Sequence, residues 1–168
     1  MGDFDAFFRT HSPAVWNYLR RLTGDAERSA DLFQRVFLKA WTHFDARHAA
    51  TERAWIFTIA VNEARDEMRR RRRDPVRAVD PADLRDRAAG PGPAPEDREL
   101  VREVLRGLDE LPAAQRELFL LVRYHGFTFT DAAALTGMGL SAAKMAVARA
   151  QERLVRILSG RIHLGSFL

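Results

Sequence analysis

At 168 residues the chain has room for one ordinary domain or two small ones, and its 46% hydrophobic fraction is enough for a packed core. Its 27 basic residues exceed its 23 acidic ones by a net +4, with a pI near 10.3. The excess is concentrated between Arg65 and Arg73, which suggests a defined polyanion site on a nearly balanced chain. With no cysteine, the chain holds no disulfide, no thiolate metal site and no cysteine redox switch.

No apolar run approaches the ~20 residues that a membrane helix needs. The start, MGDFDAFFRTH, lacks the basic-then-apolar pattern of a secretory signal. The expectation is a soluble cytoplasmic protein without membrane insertion.

Asp3 to Leu22 reads as a first helix, with Phe4, Phe7, Phe8, Val15, Tyr18 and Leu19 for a core and a break or bend near Pro13. Thr23-Gly24-Asp25 is a stop and restart. Asp25 to Phe44 gives a second helix with a wide apolar face, Leu32, Phe33, Val36, Phe37, Ala40 and Trp41. Asp31, Gln34, Arg35 and Lys39 remain polar on it. Asp45 to Arg53 reads as a loop.

From Ala54 to about Arg73, Trp55, Ile56, Ile59, Ala60 and Ala64 recur at helical spacing, while Asn62, Arg65, Arg69, Arg72 and Arg73 fall on another face. A helix that buries one side and turns guanidinium groups outward suits a phosphate backbone, because arginine stays charged and its planar fork grips phosphate bidentately. A merely solvated basic face is the alternative.

Asp74 to Pro95 carries five prolines and two glycines and reads as a linker, with a short helical turn possible around Ala82 to Ala88. Helical pattern returns at Glu96. Leu100, Val104, Leu105 and Leu108 line one helix. Pro112 stands at the first turn of the next, with Leu118, Phe119, Leu121 and Val122 as its apolar residues, and Tyr124-His125-Gly126 ends it. Thr128 or Thr130 caps a short helix from Asp131 to Thr136. Gly137-Met138-Gly139 is a tight turn, and Ser141 to Leu158 is a longer helix with Ala143, Val147, Ala150, Leu154 and Ile157 facing inward. A short helix, a glycine turn and a second helix match a helix-turn-helix, although any helical hairpin produces that spacing. The fold expected is all-α: two small helical domains, residues 1–73 and 96–168, joined by a Pro/Gly-rich linker at 74–95, the second domain with a helix-turn-helix.

Four segments carry a resemblance. Asp31 to Trp41, DLFQRVFLKAW, resembles D-L-x-Q-E-x-F-x-x-x-W, and Trp55 to Arg70 resembles W-L-x-x-I-A-R-N-x-x-x-D-x-x-R-R. Leu111 to Glu117 resembles L-P-x-x-x-R-E, and Gly126 to Ala133 resembles G-x-S-Y-x-E-I-A. Together and in this order they resemble the extracytoplasmic-function (ECF, group IV) sigma factors, small two-domain initiation subunits of bacterial RNA polymerase. The chain departs from the pattern at Arg35, where an acidic residue is usual, at Val61 for Arg, at Ala132 for a larger aliphatic residue, and at Ala146 for Arg in the last helix.

The resemblance implies core RNA polymerase and promoter DNA as partners, an anti-sigma protein as a further partner, and no cofactor. It implies polymerase contacts on the second helix, at Asp31, Gln34, Arg35 and Leu38. The promoter's −10 element would meet the loop 45–53 with His48, which would pocket a flipped base, together with Trp55, Asn62, Arg65, Arg69, Arg70, Arg72 and Arg73. Read from chemistry alone, Trp55 either supports unstacked bases or anchors the core, and Asn62 has the donor–acceptor pair that reads a base edge. The −35 element would meet Ser141, Lys144, Met145 and Arg149.

His11, His43, His48, His125 and His163 show no paired ligand spacing, so no metal site is expected. No phosphate-binding glycine loop or nucleophile context appears, and the expectation is not an enzyme. Two other readings stand beside the sigma factor. One is a stand-alone helix-turn-helix regulator, which leaves the Asp31–Trp41 motif unexplained. The other is a sigma-like polymerase-interaction protein with weakened promoter reading, which the alanine-rich last helix motivates.

Overall fold

A computed structural model describes residues 2–46, 51–73 and 95–165. All of its regular elements are helical among the described residues, and the contacts divide the chain into two compact units, residues 1–85 and 86–168. The expected linker 74–95, with its helical turn, lies outside the described residues except for Pro95.

In the first unit, α1 spans Gly2–Thr23, with Asp3 and Asp5 in its first turn and Arg20 and Arg21 in its last, each sign opposing the helix dipole. The expected break at Pro13 does not occur; the helix runs through it. Pro13 sits at an exposed position, where water can satisfy the carbonyl that its missing N–H leaves without a donor. Gly24 closes α1 through its N–H to the Arg20 carbonyl at 3.0 Å. Asp25 then caps α2 (Ala26–Thr42), its Oδ1 accepting from the Arg28 N–H at 3.1 Å.

A single 3-10 turn, Phe44–Ala46, follows α2, and α3 runs from Glu52 to Arg73. These three helices pack on one another around Val15, Tyr18, Leu19, Leu32, Val36, Ile56, Phe57, Ala60 and Val61, all of them fully buried. Val61, which replaces an arginine in the motif, is therefore a core residue.

In the second unit, α4 (Pro95–Asp109) leads to Leu111, which is buried, and to Pro112, which stands one residue ahead of α5 (Ala113–Phe119). The Arg116 side chain reaches back to donate to the Leu111 carbonyl at 3.3 Å and pairs with Asp109, tying the α4–α5 corner. The chain then widens into a π-helical turn, Leu120–Tyr124, that buries both Leu120 and Leu121.

Thr128 caps α6 (Phe129–Thr136), its hydroxyl accepting from the Asp131 N–H at 3.0 Å. Gly137 ends α6 at φ 65°, a left-handed conformation that glycine adopts without strain, and Met138 N–H returns to the Ala133 carbonyl at 3.0 Å. Then α7 runs from Leu140 to Gly165, longer than the sequence pattern required. Ala132, Ala133 and Thr136 of α6 and Ala143 and Val147 of α7 are all buried, so small side chains let the two helices of the helix-turn-helix approach closely. The alanine at 132 fills such a position.

Candidate nucleic-acid interface

Helix α3 is amphipathic by charge as well as by polarity. Its inner face is Ile56, Phe57, Ala60, Val61 and Ala64. On its outer face Asn62, Arg69, Arg70, Arg72 and Arg73 are exposed, and Arg65 is half-buried. Trp55 is half-buried with its ring 5.6 Å from Phe7 and 6.4 Å from Phe44, an aromatic anchor beneath the start of the helix. His48 lies outside the described residues with the rest of 47–50, while the expected loop is otherwise partly helical: Asp45 and Ala46 belong to the 3-10 turn and Glu52 and Arg53 open α3.

The sequence pattern did not single out two acidic residues that organise this helix. Glu63 is only 4% exposed. Its carboxylate lies 3.7 Å from Arg35 Nε and pairs with Lys39, both from α2. One turn on, Glu67 accepts from Arg35 Nη2 at 2.9 Å and meets Arg70 and Arg71 at 3.4 Å each. Partial burial alone would raise the Glu67 pKa, but the hydrogen bonds and charges of Arg35, Arg71 and Arg70 outweigh it and hold the carboxyl below its ordinary range. Arg28, partly buried nearby, has its pKa lowered by that burial and then by the Arg71 charge. The signal for this lattice was present in the chain as basic Arg35 and Lys39 spaced i, i+4 on one helix, and acidic Glu63 and Glu67 spaced i, i+4 on the other.

On α2, Asp31, Gln34 and Leu38 are exposed, Leu38 at 65%. Arg35 turns away from them toward α3. Trp41, expected in the core, is half exposed at 51%, with the ring of Phe4 edge-on to it at 4.8 Å.

In the second unit, Ser141, Lys144, Met145 and Arg149 are all exposed along the first turns of α7. Ala143, Val147 and Ala150 fix the opposite face into the core. Ala146 is 9% exposed, at the edge of that core. A longer side chain there would have to leave the packed face along the edge of the helix.

The sequence matches the family model for Sigma-70 region 2 over residues 7–74 and that for Sigma-70, region 4 over residues 101–154. The ECF RNA polymerase sigma factor EcfG of Rhodopseudomonas palustris is 34% identical over 148 residues, covering 87% of this chain and 80% of the relative. The chain belongs to the ECF sigma factors. The RNA polymerase sigma factor CarQ of Myxococcus xanthus is 32% identical, over 96% of this chain and 91% of its own.

Among solved structures, the sigma factor RpoE of Bartonella quintana, in complex with the anti-sigma factor NepR, superposes with a TM-score of 0.78 at 27% identity, covering 95% of this chain and 98% of RpoE. CnrH, in complex with the cytosolic domain of CnrY, gives 0.66 at 25% identity, over 94% and 88% of the two chains. This sigma factor is therefore a non-enzymatic initiation subunit that directs core RNA polymerase to promoters. Among the described residues no helix of the sigma factor is long and apolar enough to cross a membrane.

Proposed function

We propose that this chain works as a group IV sigma factor in the cytoplasm, with residues 1–73 binding polymerase and the −10 element, 74–95 linking, and 96–168 binding the −35 element. Helix α2 presents Asp31, Gln34 and Leu38 to core polymerase, and Trp41 extends the same exposed stripe by one further turn. Leu38 and Trp41 supply the apolar anchors that a docking surface needs, with the two polar residues beside them. Arg35 acts chiefly within the chain, as a strut to Glu63 and Glu67.

Helix α3 meets the melted −10 strand through phosphate contacts from its outer arginines, with Asn62 and the His48 loop at the bases and Trp55 as the anchor beneath. Helix α7 enters the −35 major groove with Ser141, Lys144, Met145 and Arg149. An anti-sigma protein is a partner of this chain, as NepR is of RpoE.

The observation that carries this reading is the exposed, one-sided placement of cations on α3 and on α7, each backed by a packed apolar face. Run-off transcription with core polymerase across a promoter library tests it. Discrete start sites that depend on both domains are expected, and specific duplex binding without polymerase would favour a stand-alone regulator instead. Replacing Asp31 and Gln34 together with Ala tests the docking stripe: core affinity falls while the helical content holds. Unchanged affinity in a pull-down titration removes the stripe from the interface.

A further inference from the structure

Five consecutive arginines, Arg69 to Arg73, read in sequence as one uniform cationic patch. Their surroundings divide them. Arg70 and Arg71 lie three and four residues beyond Glu67 on the same helix, the two spacings that bring side chains together. Both meet its carboxylate at 3.4 Å. Glu67 is itself held from the other side by Arg35 of α2 at 2.9 Å and is only 21% exposed, so it is fixed in the seam between the helices.

Arg71 follows it inward, at 24% exposure. Beyond the reach of Glu67, Arg72 and Arg73 are exposed and have no ion pair among the described residues. Arg69 and Arg70 are similarly exposed, at 65% and 57%, but among the described residues Arg69 meets an exposed Asp66 at 3.2 Å, a contact that water and salt weaken, whereas the carboxylate under Arg70 is the held one.

We propose that Glu67 is a positioning residue that withdraws Arg70 and Arg71 from the phosphate-binding set and leaves Arg72 and Arg73, with Arg69, to the DNA. The proposal rests on the reading of α3 as the DNA-facing helix. Its physical basis is competition. A guanidinium already neutralised by a fixed, half-buried carboxylate releases few DNA counterions when a phosphate approaches, whereas an unpaired one releases close to a full share. Glu67 also sets the direction of the tethered pair by drawing them toward α2. The arrangement keeps a dense arginine run from gripping single strands without limit, which matters in a helix that must later let the promoter go.

The test is the salt dependence of holoenzyme affinity for promoter DNA, with thermal stability of the free protein measured alongside. Arg72→Ala and Arg73→Ala should each lower the slope of log K against log salt by about 0.7, the share of one single-strand phosphate contact. Arg70→Ala and Arg71→Ala should lower it by less than half as much. Glu67→Gln should steepen the slope by about one contact or more, because it releases both arginines. A merely structural Glu67 would shift the melting temperature and leave the slope alone.

Equal losses at all four arginines would overturn the role of Glu67 while sustaining α3 as the DNA face. No change at any of the four would overturn both. If Glu67→Gln does not fold, the four arginine variants decide the matter by themselves.

Discussion

The two helix seams behind the helices proposed to meet DNA are built on opposite principles. In the first unit α2 meets α3 partly through charge, with Arg35 and Lys39 against Glu63 and Glu67. In the second, α6 meets α7 through methyl groups, with Ala132, Ala133, Ala143 and Val147 buried together. An ionic seam depends on every partner, since removing one leaves a buried charge uncompensated, while an alanine seam depends on volume. The contrast explains two departures from the family pattern. Arginine at 35 belongs to a charge set that includes its own acidic partners, and alanine at 132 belongs to a seam with no room for more.

The largest effect is expected where the ionic seam is broken at its centre. Arg35→Glu installs the residue usual in the motif but sets a carboxylate beside Glu63 and Glu67. Removing one partner of a buried pair costs ~3–5 kcal/mol, and the one-third exposure of the Arg35 side chain, 34%, puts this variant near the lower end, at about 3 kcal/mol. Urea unfolding measures it, and adding Glu63→Arg should recover part of the loss. A variant as stable as the parent, with tighter polymerase binding, would mean that Arg35 faces the polymerase after all.

In the other seam, Ala143→Leu adds three carbons where exposure is 0%. Overpacking of this kind costs ~1–3 kcal/mol. Its penalty should be nearly the same in low and high salt, whereas the Arg35→Glu penalty should shrink as salt screens the added repulsion. Equal salt responses would erase the distinction between the seams.

The helices themselves were legible in the sequence because their apolar residues repeat at helical spacing and their ends carry Gly24, Asp25, Thr128 and Gly137. The division into two units followed the proline-rich stretch. The site was legible only in outline. Exposed arginines announce themselves, but Glu63 sits in a polar run and is buried because α2 presents it with two cations, a fact that no single-helix pattern contains. Trp41 misled in the opposite direction: a tryptophan on an apolar face reads as core, yet α2 ends one residue later and Trp41 stays half exposed against the edge-on ring of Phe4. Pro13 misled because the cost of proline in a helix depends on what surrounds the carbonyl it strands. The π-helical turn at Leu120–Tyr124 has no sequence signature that we can identify.

The same contrast predicts how the two proposed DNA contacts respond to charge removal. Changing Arg65 and Arg69 together to Ala takes two cations from α3, and Lys144→Ala takes one from α7. With single-strand shares of about 0.7 each and a duplex share of about 0.9, the paired change should flatten the salt slope of promoter binding more than Lys144→Ala does. A larger loss from Lys144→Ala would place the main electrostatic affinity in the second unit.

A smaller difference should appear in acid. The Glu67 carboxyl is depressed in the folded state, so its contribution to stability is complete above the ordinary carboxylate range and is lost as pH falls through the folded-state pKa. Glu67→Gln lacks that contribution at every pH. The stability difference between parent and variant should therefore be greatest near neutral pH and shrink in acid. A difference that stays constant down to acid would assign the loss to packing instead of charge.

The smallest effect tests whether the volume rule of the second unit extends beyond α6 and α7. Gly107 lets α4 approach α7. A Cβ added there would lie 2.9 Å from Leu154 Cδ2 and 3.7 Å from Ile157 Cγ2. Gly107→Ala gains ~1 kcal/mol of helix propensity, yet it pushes on a Leu154 side chain that is 6% exposed and has little space to yield. If moving that methyl costs ~1–3 kcal/mol, the net change is a loss of about 1 kcal/mol. Leu154→Val removes the methyl that would be struck. In that background Gly107→Ala should turn stabilising, by roughly the propensity gain alone, and a double-mutant cycle of the four proteins isolates the clash. Should Gly107→Ala stabilise equally in both backgrounds, Leu154 yields freely, and the contact between α4 and α7 is looser than the alanine seam beside it.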